Sequence, residues 1–458
     1  MSEQREVVAL SLWFEHAWLP TGLTAGVRLS VAEGRLSNIE VGVAARPGDE
    51  VHALAAPGLP NLHSHGFQRG IAGMAEVRGP NSDSFWTWRD VMYRFVDRCG
   101  PDELEAITAL AYAEMLEGGF TRVGEFHYIH HDLDGRAYAE PAELAARVAA
   151  AAETTGIALT LLPVMYAHAG FGALPPRPEQ RRFVSALDGF QRLHEGAVRA
   201  VKTLPDAVVG VAPHSLRAVT PEQLSAVAEL SDGPLHIHIA EQIQEVDDCI
   251  AWSGARPIEW LLANAQVDGR WCLVHATHVE TRELHGVARS GAIAGLCPIT
   301  EANLGDGLFP MAEFLEAGGR FGVGSDSNVA IGAAEELRML EYGQRLTHRS
   351  RNVLARGEGR STAADLHQAA VEGGSQALGA SAGLAVGHPA DIVSLDMEHP
   401  VMLGRKPSAA LDCWVFGGDR SVVATVWRGG RKMVSEGRHT RKAQIVDRYR
   451  RALKTVLA

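Results

Sequence analysis

Between residue 54 and about residue 380 the chain repeats one unit eight times, a short and continuously apolar run followed by a loop and a helix-forming stretch. No other feature narrows its fold so far. The apolar runs are 54–62, 121–127, 157–166, 207–213, 234–240, 271–276, 292–298 and 320–325. A strand that is apolar along its whole length must be covered on both faces, and parallel sheets wrapped by crossover helices achieve this. The stretches between the runs carry helix start and stop signals. One opens at Pro101-Asp102-Glu103, places Leu104, Ile107, Ala111 and Met115 on one stripe, and stops at Gly118-Gly119. Another opens at Thr220-Pro221-Glu222-Gln223, a capping box with proline at the first helical position. Eight such alternations predict an α/β fold closed as a (β/α)8 TIM-like barrel. A doubly wound open sheet is the alternative, disfavoured because no Gly-x-Gly-x-x-Gly follows an early strand.

The ends of the chain have a different texture. Residues 7–55 alternate short β-type runs with turns, as at 26–31 and 36–41, and read as a small antiparallel sheet. β character returns at 383–396, then at Trp414-Val415-Phe416 and at 421–427, two runs parted by Gly417-Gly418-Asp419. A short sheet cannot easily bury a face alone. The two ends are therefore expected to pair into one discontinuous β-sandwich domain, 1–55 with 385–440, around a barrel of 56–384, with a C-terminal helix over 441–458.

Hydrophobic residues at 46% and charged residues at 21% place the chain among globular proteins. Its formal net charge of −12 argues against a nucleic-acid surface, so an anionic substrate has to be met by local arginines. The five cysteines, Cys99, Cys249, Cys272, Cys297 and Cys413, are odd in number, scattered and form no Cys-x-x-Cys pair. They read as reduced thiols, not as a disulfide framework or a thiolate zinc knuckle. The opening Met-Ser-Glu-Gln-Arg-Glu carries charge where a leader would be apolar. The most apolar long stretch, 156–174, is broken by Pro163 and His168 and reads as a buried strand and loop, not a membrane span. A cytoplasmic protein without membrane or nucleic-acid partners is the expectation.

In such a barrel the active site forms where the strands end at the C-terminal face, so polar residues at those ends are the candidates. The first run turns into Asn61-Leu62-His63-Ser64-His65. Alternate residues of a strand share a face, so His63 and His65 can offer two imidazoles to one ion. The fourth run ends at His214 with Arg217 close behind, the fifth at His238 with Glu241 after it, the sixth at His275 and the eighth at Asp326. Three imidazoles and a carboxylate suit zinc or a similar divalent cation with one position left for water. Each histidine taken singly reads equally well as a hydrogen-bonded core residue; their agreement around one ring does not.

The successive motifs Leu62-His63-Ser64-His65, His236-Ile237-His238-Ile239-Ala240-Glu241, Leu273-Val274-His275, Cys297-Pro298 and Gly322-Val323-Gly324-Ser325-Asp326 resemble those of the amidohydrolase superfamily, in its mononuclear deaminase branch. The likeness covers nearly the whole chain, including the return to β character at 387–396. Strand four ends without a lysine, which agrees with a single ion, since binuclear members usually carry a carboxylated lysine there. Within the branch, His65-Gly66-Phe67-Gln68-Arg69, the stretch 85–93, Glu125-Phe126-His127-Tyr128, Pro213-His214-Ser215-Leu216-Arg217 and the stretch 297–307 are similar to the formimidoylglutamate deiminases. Ile299-Thr300-Glu301-Ala302-Asn303 departs there from the Thr-Ser-Asn-like run of most other relatives. The resemblance implies one divalent ion, most readily zinc, on His63, His65, His238 and Asp326, with His236 packing deeper in the barrel. It implies that Asp326 takes a proton from the attacking water, that Glu241 hands protons to the departing nitrogen, and that His275 orients the water and stabilises the tetrahedral carbon. The family also suggests a homodimer.

The implied substrate, N-formimidoyl-L-glutamate of histidine degradation, carries two carboxylates beside a cationic amidine; its hydrolysis yields N-formyl-L-glutamate and ammonia. Arg89 and Arg217 are the expected carboxylate partners, because guanidinium grips a carboxylate in two-pronged fashion. Gln68, Tyr128 and His214 complete the expected lining. Arg89 also reads as a structural residue stacked with Trp86 and Trp88 on a short helix. Two further readings stay open: another deaminase of the superfamily, acting on a nucleobase or an amidino compound, and a non-catalytic binding scaffold.

Overall fold

The computed structural model describes residues 10–79 and 83–458. The charged opening, from which the expectation of no leader is drawn, lies outside the described residues. Eight parallel strands curl into a barrel: Leu59–Ser64, Phe120–His127, Ala158–Met165, the split pair Val208–Val209 and Ala212–Pro213, Leu235–Ile239, Trp271–His275, Ile293–Leu296 and Arg320–Val323. Neighbours in the barrel follow chain order. The eighth strand pairs back onto the first through Val323 and Asn61, and parallel bridges Val211–Leu235 and Ser215–His238 join the fourth to the fifth. Ala158–Met165 is buried at every residue, as a nearly continuous apolar run requires, and so is Phe120–His127 although it carries Arg122, Glu125 and His127.

The helices form where the caps predict. Thr220 Oγ1 accepts from Gln223 N at 3.3 Å and Gln223 Oε1 accepts from Thr220 N at 2.9 Å, which starts Pro221–Glu229. Helix Pro101–Glu117 departs from the single stripe expected of it, being buried continuously from Leu104 to Glu117. It lies between the barrel, the helix Glu143–Thr155 and the C-terminal helix Lys442–Leu457. Burying its apolar side chains contributes about 1.5–3 kcal/mol each relative to exposure. Its carboxylates are met from several sides: Lys442 Nζ of the C-terminal helix donates to Glu117 at 2.7 Å, Arg69 to Glu114 at 2.7 Å and Arg147 to Glu105 at 3.2 Å. At the end of the barrel away from the strand termini, the last turn of helix Thr362–Ala377 acts as a stopper. His236 Nε2 donates to Ala377 O at 2.7 Å, and Thr160 donates to Leu378 O at 3.0 Å. His236 thus packs within the barrel and stays away from the ligand cluster.

Both chain ends enter one eight-stranded sheet. Ile392–Leu395 pairs antiparallel with Glu50–Pro57, and the N-terminal strand Leu10–Leu19 pairs antiparallel with Gly22–Ala32 but parallel with Glu50–Pro57. The N-terminal sheet is therefore mixed, not purely antiparallel. The sheet has its own apolar cluster of Leu12, Phe14, Val27, Leu29, Ile392 and Trp427. Two boundaries differ from the sequence reading. The apolar run 54–62 is divided between the two sheets at Gly58, where a Cβ would lie 2.2 Å from the Thr121 side chain and only glycine lets the backbone through. Trp414-Val415-Phe416 is not a strand: it lies in the helix Ala410–Gly417, with Trp414 buried against Gly119 beside the barrel. Among the described residues no helix is long and apolar enough to cross a membrane. All five cysteines are free thiols.

Candidate metal centre and active site

His63 and His65 emerge from the first barrel strand with their rings 4.8 Å apart, which is the result of alternate residues sharing a strand face. His238 comes from the end of the fifth strand and Asp326 from the turn after the eighth. One ligand atom from each of these four residues lies within 4.8 Å of every other. His63 Nε2 is 3.0 Å from His238 Nε2 and 3.5 Å from Asp326 Oδ1; His65 Nε2 is 3.3 Å from the same carboxylate oxygen. His65 donates from Nδ1 to Phe126 O at 2.9 Å, which leaves a lone pair on Nε2 facing Asp326.

Burial disfavours protonated imidazole, pushing His63 down to about 3 and His238 well below its ordinary value. Burial also opposes ionisation of Asp326, but its contacts with His63 and the nearby imidazoles outweigh it and hold the carboxyl below the usual carboxylate range. Neutral imidazole lone pairs and an ionised carboxylate thus converge on one point. That donor set fits a divalent cation.

His275, at the end of the sixth strand, lies beside this cluster, its ring stacked on that of His238 at 5.5 Å. Its Nε2 is 3.8 Å from both Glu241 Oε1 and Asp326 Oδ2, and its Nδ1 is 3.2 Å from Glu301 Oε1. Burial alone would keep His275 neutral, but Glu241, Glu301 and Asp326 surround it and push its pKa up to about 10. Glu241 is itself buried, which raises its pKa against the opposing pull of His275 and makes it a group able to carry a proton at neutral pH. The backbone is strained where it presents these groups: φ is +68° at His275 and +41° at Asp326.

A narrow cavity of about 60 Å³ opens over the cluster. His65, His238, Asp326, Glu241 and His275 line it, as do Gln68, Arg89, Tyr128, His214 and Arg217; His63 lies fully buried beneath. Gln68 donates to Tyr128 Oη at 2.8 Å. Arg217 is buried with its Nε 3.9 Å from Glu245 Oε2, and Glu245 in turn accepts from Glu241 N at 3.2 Å. The Arg89 guanidinium carbon sits 4.4 Å over the Trp86 ring and 5.5 Å over that of Tyr93, not over Trp88, and the residue also lines the cavity.

Several site residues were not apparent in the sequence. Tyr166 directly follows the third strand, so the same strand-end rule finds it. Met92, Tyr93 and Phe183 form apolar cavity wall and carry no such signal. Glu301 sits in the first turn of the helix Pro298–Leu304, where Cys297 N also donates to it at 2.8 Å, and nothing local to its sequence reveals that it meets His275.

Comparison with known proteins bears on this geometry. Residues 54–433 match the Amidohydrolase family, and residues 12–53 match "Formimidoylglutamate deiminase HutF, N-terminal domain". The formimidoylglutamate deiminase of Pseudomonas aeruginosa is 50% identical over 94% of this chain and 95% of its own length. An 8-oxoguanine deaminase from the same organism is 28% identical over 89% of this chain and 90% of its own. Among solved structures, an amidohydrolase from Brucella melitensis superposes with a TM-score of 0.95 at 52% identity, covering 98% of this chain and 100% of that one. An adenosine deaminase from Xanthomonas campestris with bound zinc, 22% identical and covering 98% of both chains, shares the fold with a TM-score of 0.80. By the family match over most of its length and by these identities, the chain belongs to the amidohydrolase family.

Proposed function

We propose that the protein hydrolyses N-formimidoyl-L-glutamate to N-formyl-L-glutamate and ammonia, a step of histidine degradation. The likeness to the P. aeruginosa deiminase supports this reading. The observation that carries it is a single cavity lined both by the histidine–aspartate cluster and by Arg89 and Arg217. A substrate with one reacting amidine and two carboxylates needs both kinds of group at once, whereas a flat nucleobase has no use for two guanidinium groups.

In this reading His63, His65, His238 and Asp326 hold one divalent ion, and we propose zinc, which takes such nitrogen and oxygen donors. When bound, the ion makes its water acidic enough to act as a nucleophile near neutral pH. Asp326 accepts the proton of the water that attacks the amidine carbon. His275, held protonated among carboxylates with Nε2 between Glu241 and Asp326, would orient the attacking oxygen and hydrogen-bond it as the tetrahedral carbon forms. Glu241 delivers the proton to the terminal nitrogen, so that the bond to ammonia breaks and the bond to the amino-acid nitrogen survives. Arg89 and Arg217 anchor the two carboxylates, with Gln68, Tyr128 and His214 fixing the chain between. We further propose a homodimer in the cytoplasm, and a terminal sheet that acts as a folding unit distinct from the barrel, with its boundary at Gly58.

The test is ammonia release by the purified protein from a panel of formimidoyl and carbamimidoyl amino acids together with guanine and adenosine. Turnover confined to formimidoylglutamate and its near analogues is expected. Preference for a nucleobase, or no turnover of any amidine, overturns the proposal.

A further inference from the structure

The seam between the eighth and first barrel strands is where Asp326 meets His63 and His65, and it has little ladder to hold it. The paired positions are Val323 with Asn61 and the isolated bridge Ser64 with Asp326. The strands nevertheless approach very closely: a Cβ on Gly324 would lie 2.7 Å from His63 O. Two backbone bonds cross it, Asp326 N to His63 O at 3.0 Å and His65 N to Asp326 O at 2.9 Å, and a chain of neutral, buried side chains reinforces them. Asn61 Nδ2 donates to Ser325 Oγ at 2.7 Å while Asn61 Oδ1 accepts from Ser325 N at 3.0 Å. Ser325 Oγ then donates to Asn328 Oδ1 at 2.7 Å. Asn328 Nδ2 shares its two hydrogens among Ser64 Oγ at 3.1 Å, His65 O at 3.0 Å and Asp326 O at 3.0 Å.

We infer that Asn328 is a positioning residue that sets the distance between the Asp326 carboxylate and the His63–His65 pair, acting through the backbone carbonyls of His65 and Asp326. The inference rests on the ligand assignment proposed above. Three features support it. Asn328 is completely buried, so every one of its polar atoms must be matched within the protein. Its φ of +55° is a conformation asparagine tolerates better than most side chains, and its side chain then folds back over the turn that presents Asp326. Its contacts are also specific to the seam: one amide group binds the carbonyl of a ligand residue on each strand, His65 on the first and Asp326 after the eighth. Losing it leaves the backbone bonds Asp326 N to His63 O and His65 N to Asp326 O as the remaining ties between ligand positions. Groups that orient metal ligands without touching the ion typically change affinity by about 10- to 100-fold when removed.

The decisive variant is Asn328→Gly, which keeps the left-handed backbone accessible, adds no charge and deletes every side-chain bond. Two measurements are made on metal-loaded protein: the zinc dissociation constant by competition with a chromophoric chelator, and the visible absorption of the cobalt-substituted form, whose bands report ligand geometry. Weaker zinc binding by about tenfold or more, together with shifted cobalt bands, is expected. A variant that melts earlier but binds zinc within about twofold of wild type, with unchanged bands, overturns the inference and leaves Asn328 a packing residue. If Asn328→Gly does not fold, Ser325→Ala removes one link of the same chain and must show a smaller change of the same kind; wild-type zinc affinity and spectrum there also overturn it. The ligand assignment is tested separately by His238→Ala: full retention of zinc in that variant defeats the assignment itself, whatever Asn328 does.

Discussion

Replacing Arg217 with methionine keeps most of the length and the apolar stem of the side chain while deleting its guanidinium. The residue is 8% exposed and lines the cavity, and its nearest anion, Glu245 Oε2, stands 3.9 Å from Nε, too far for a hydrogen bond. Burial opposes the charge of Arg217, yet Glu245 and its neighbours hold its pKa above the ordinary value, so it stands in the cavity as a full cation. A hydrogen bond to a charged group is worth about 1.5–3 kcal/mol. A loss of about 2 kcal/mol corresponds to about thirtyfold in kcat/KM. The variant also leaves Glu245 without its counter-charge and so lowers stability, which makes absolute rates a poor measure. The ratio of kcat/KM for formimidoylglutamate to that for a formimidoyl amine lacking both carboxylates cancels this effect, and ammonia release reads both. Wild type is expected to strongly favour the dicarboxylate, and Arg217→Met to shrink that preference by about thirtyfold. Shortening the substrate by one methylene, as in the aspartate analogue, costs a comparable 1–3 kcal/mol or so, making chain length a softer discriminator than charge. If wild type turns over the carboxylate-free compound as well as formimidoylglutamate, or if the ratio is unchanged in the variant, the role given to Arg217 is wrong.

Three other perturbations separate the remaining roles. His238→Ala and Asp326→Ala should each lose bound metal and activity together, because each removes a donor from a set of four; metal analysis showing full occupancy in both would contradict that. Glu241→Gln should retain the metal and lower kcat by about 10² or more, the usual scale of general acid–base catalysis; an unchanged kcat moves the proton-transfer role elsewhere. Gly324→Ala puts a Cβ 2.7 Å from His63 O and 2.8 Å from His63 N, so the seam must open, at a cost of about 1–3 kcal/mol in stability and with a fall in bound metal; a wild-type melting curve with full metal content would show that the strands have slack there.

The barrel was legible in the chain because its information is local. Most strands are apolar runs a few residues long, helices such as Pro221–Glu229 carry their own cap, and the candidate ligands stand at the ends of the runs. His63 and His65 share a face by strand geometry alone. Once the barrel is granted, its circular order brings His238, His275 and Asp326 to the same rim.

What the tertiary structure decided was everything that depends on pairs far apart in sequence. That the two chain ends share one sheet was expected, but that Glu50–Pro57 pairs with Ile392–Leu395, some three hundred residues on, is a register no local pattern names. Trp414-Val415-Phe416 has no period to read, since three apolar residues in a row suit a strand or a helix equally. The buried face available to Trp414 beside the barrel goes with the helical outcome. Arg89 could be assigned to stacking or to the cavity from sequence, and the fold gave it both. Glu301 behind His275, and Asn328 across the strand seam, are polar residues in polar stretches. Their importance comes from burial and from the several neighbours each must satisfy, and both of those are properties of the folded chain.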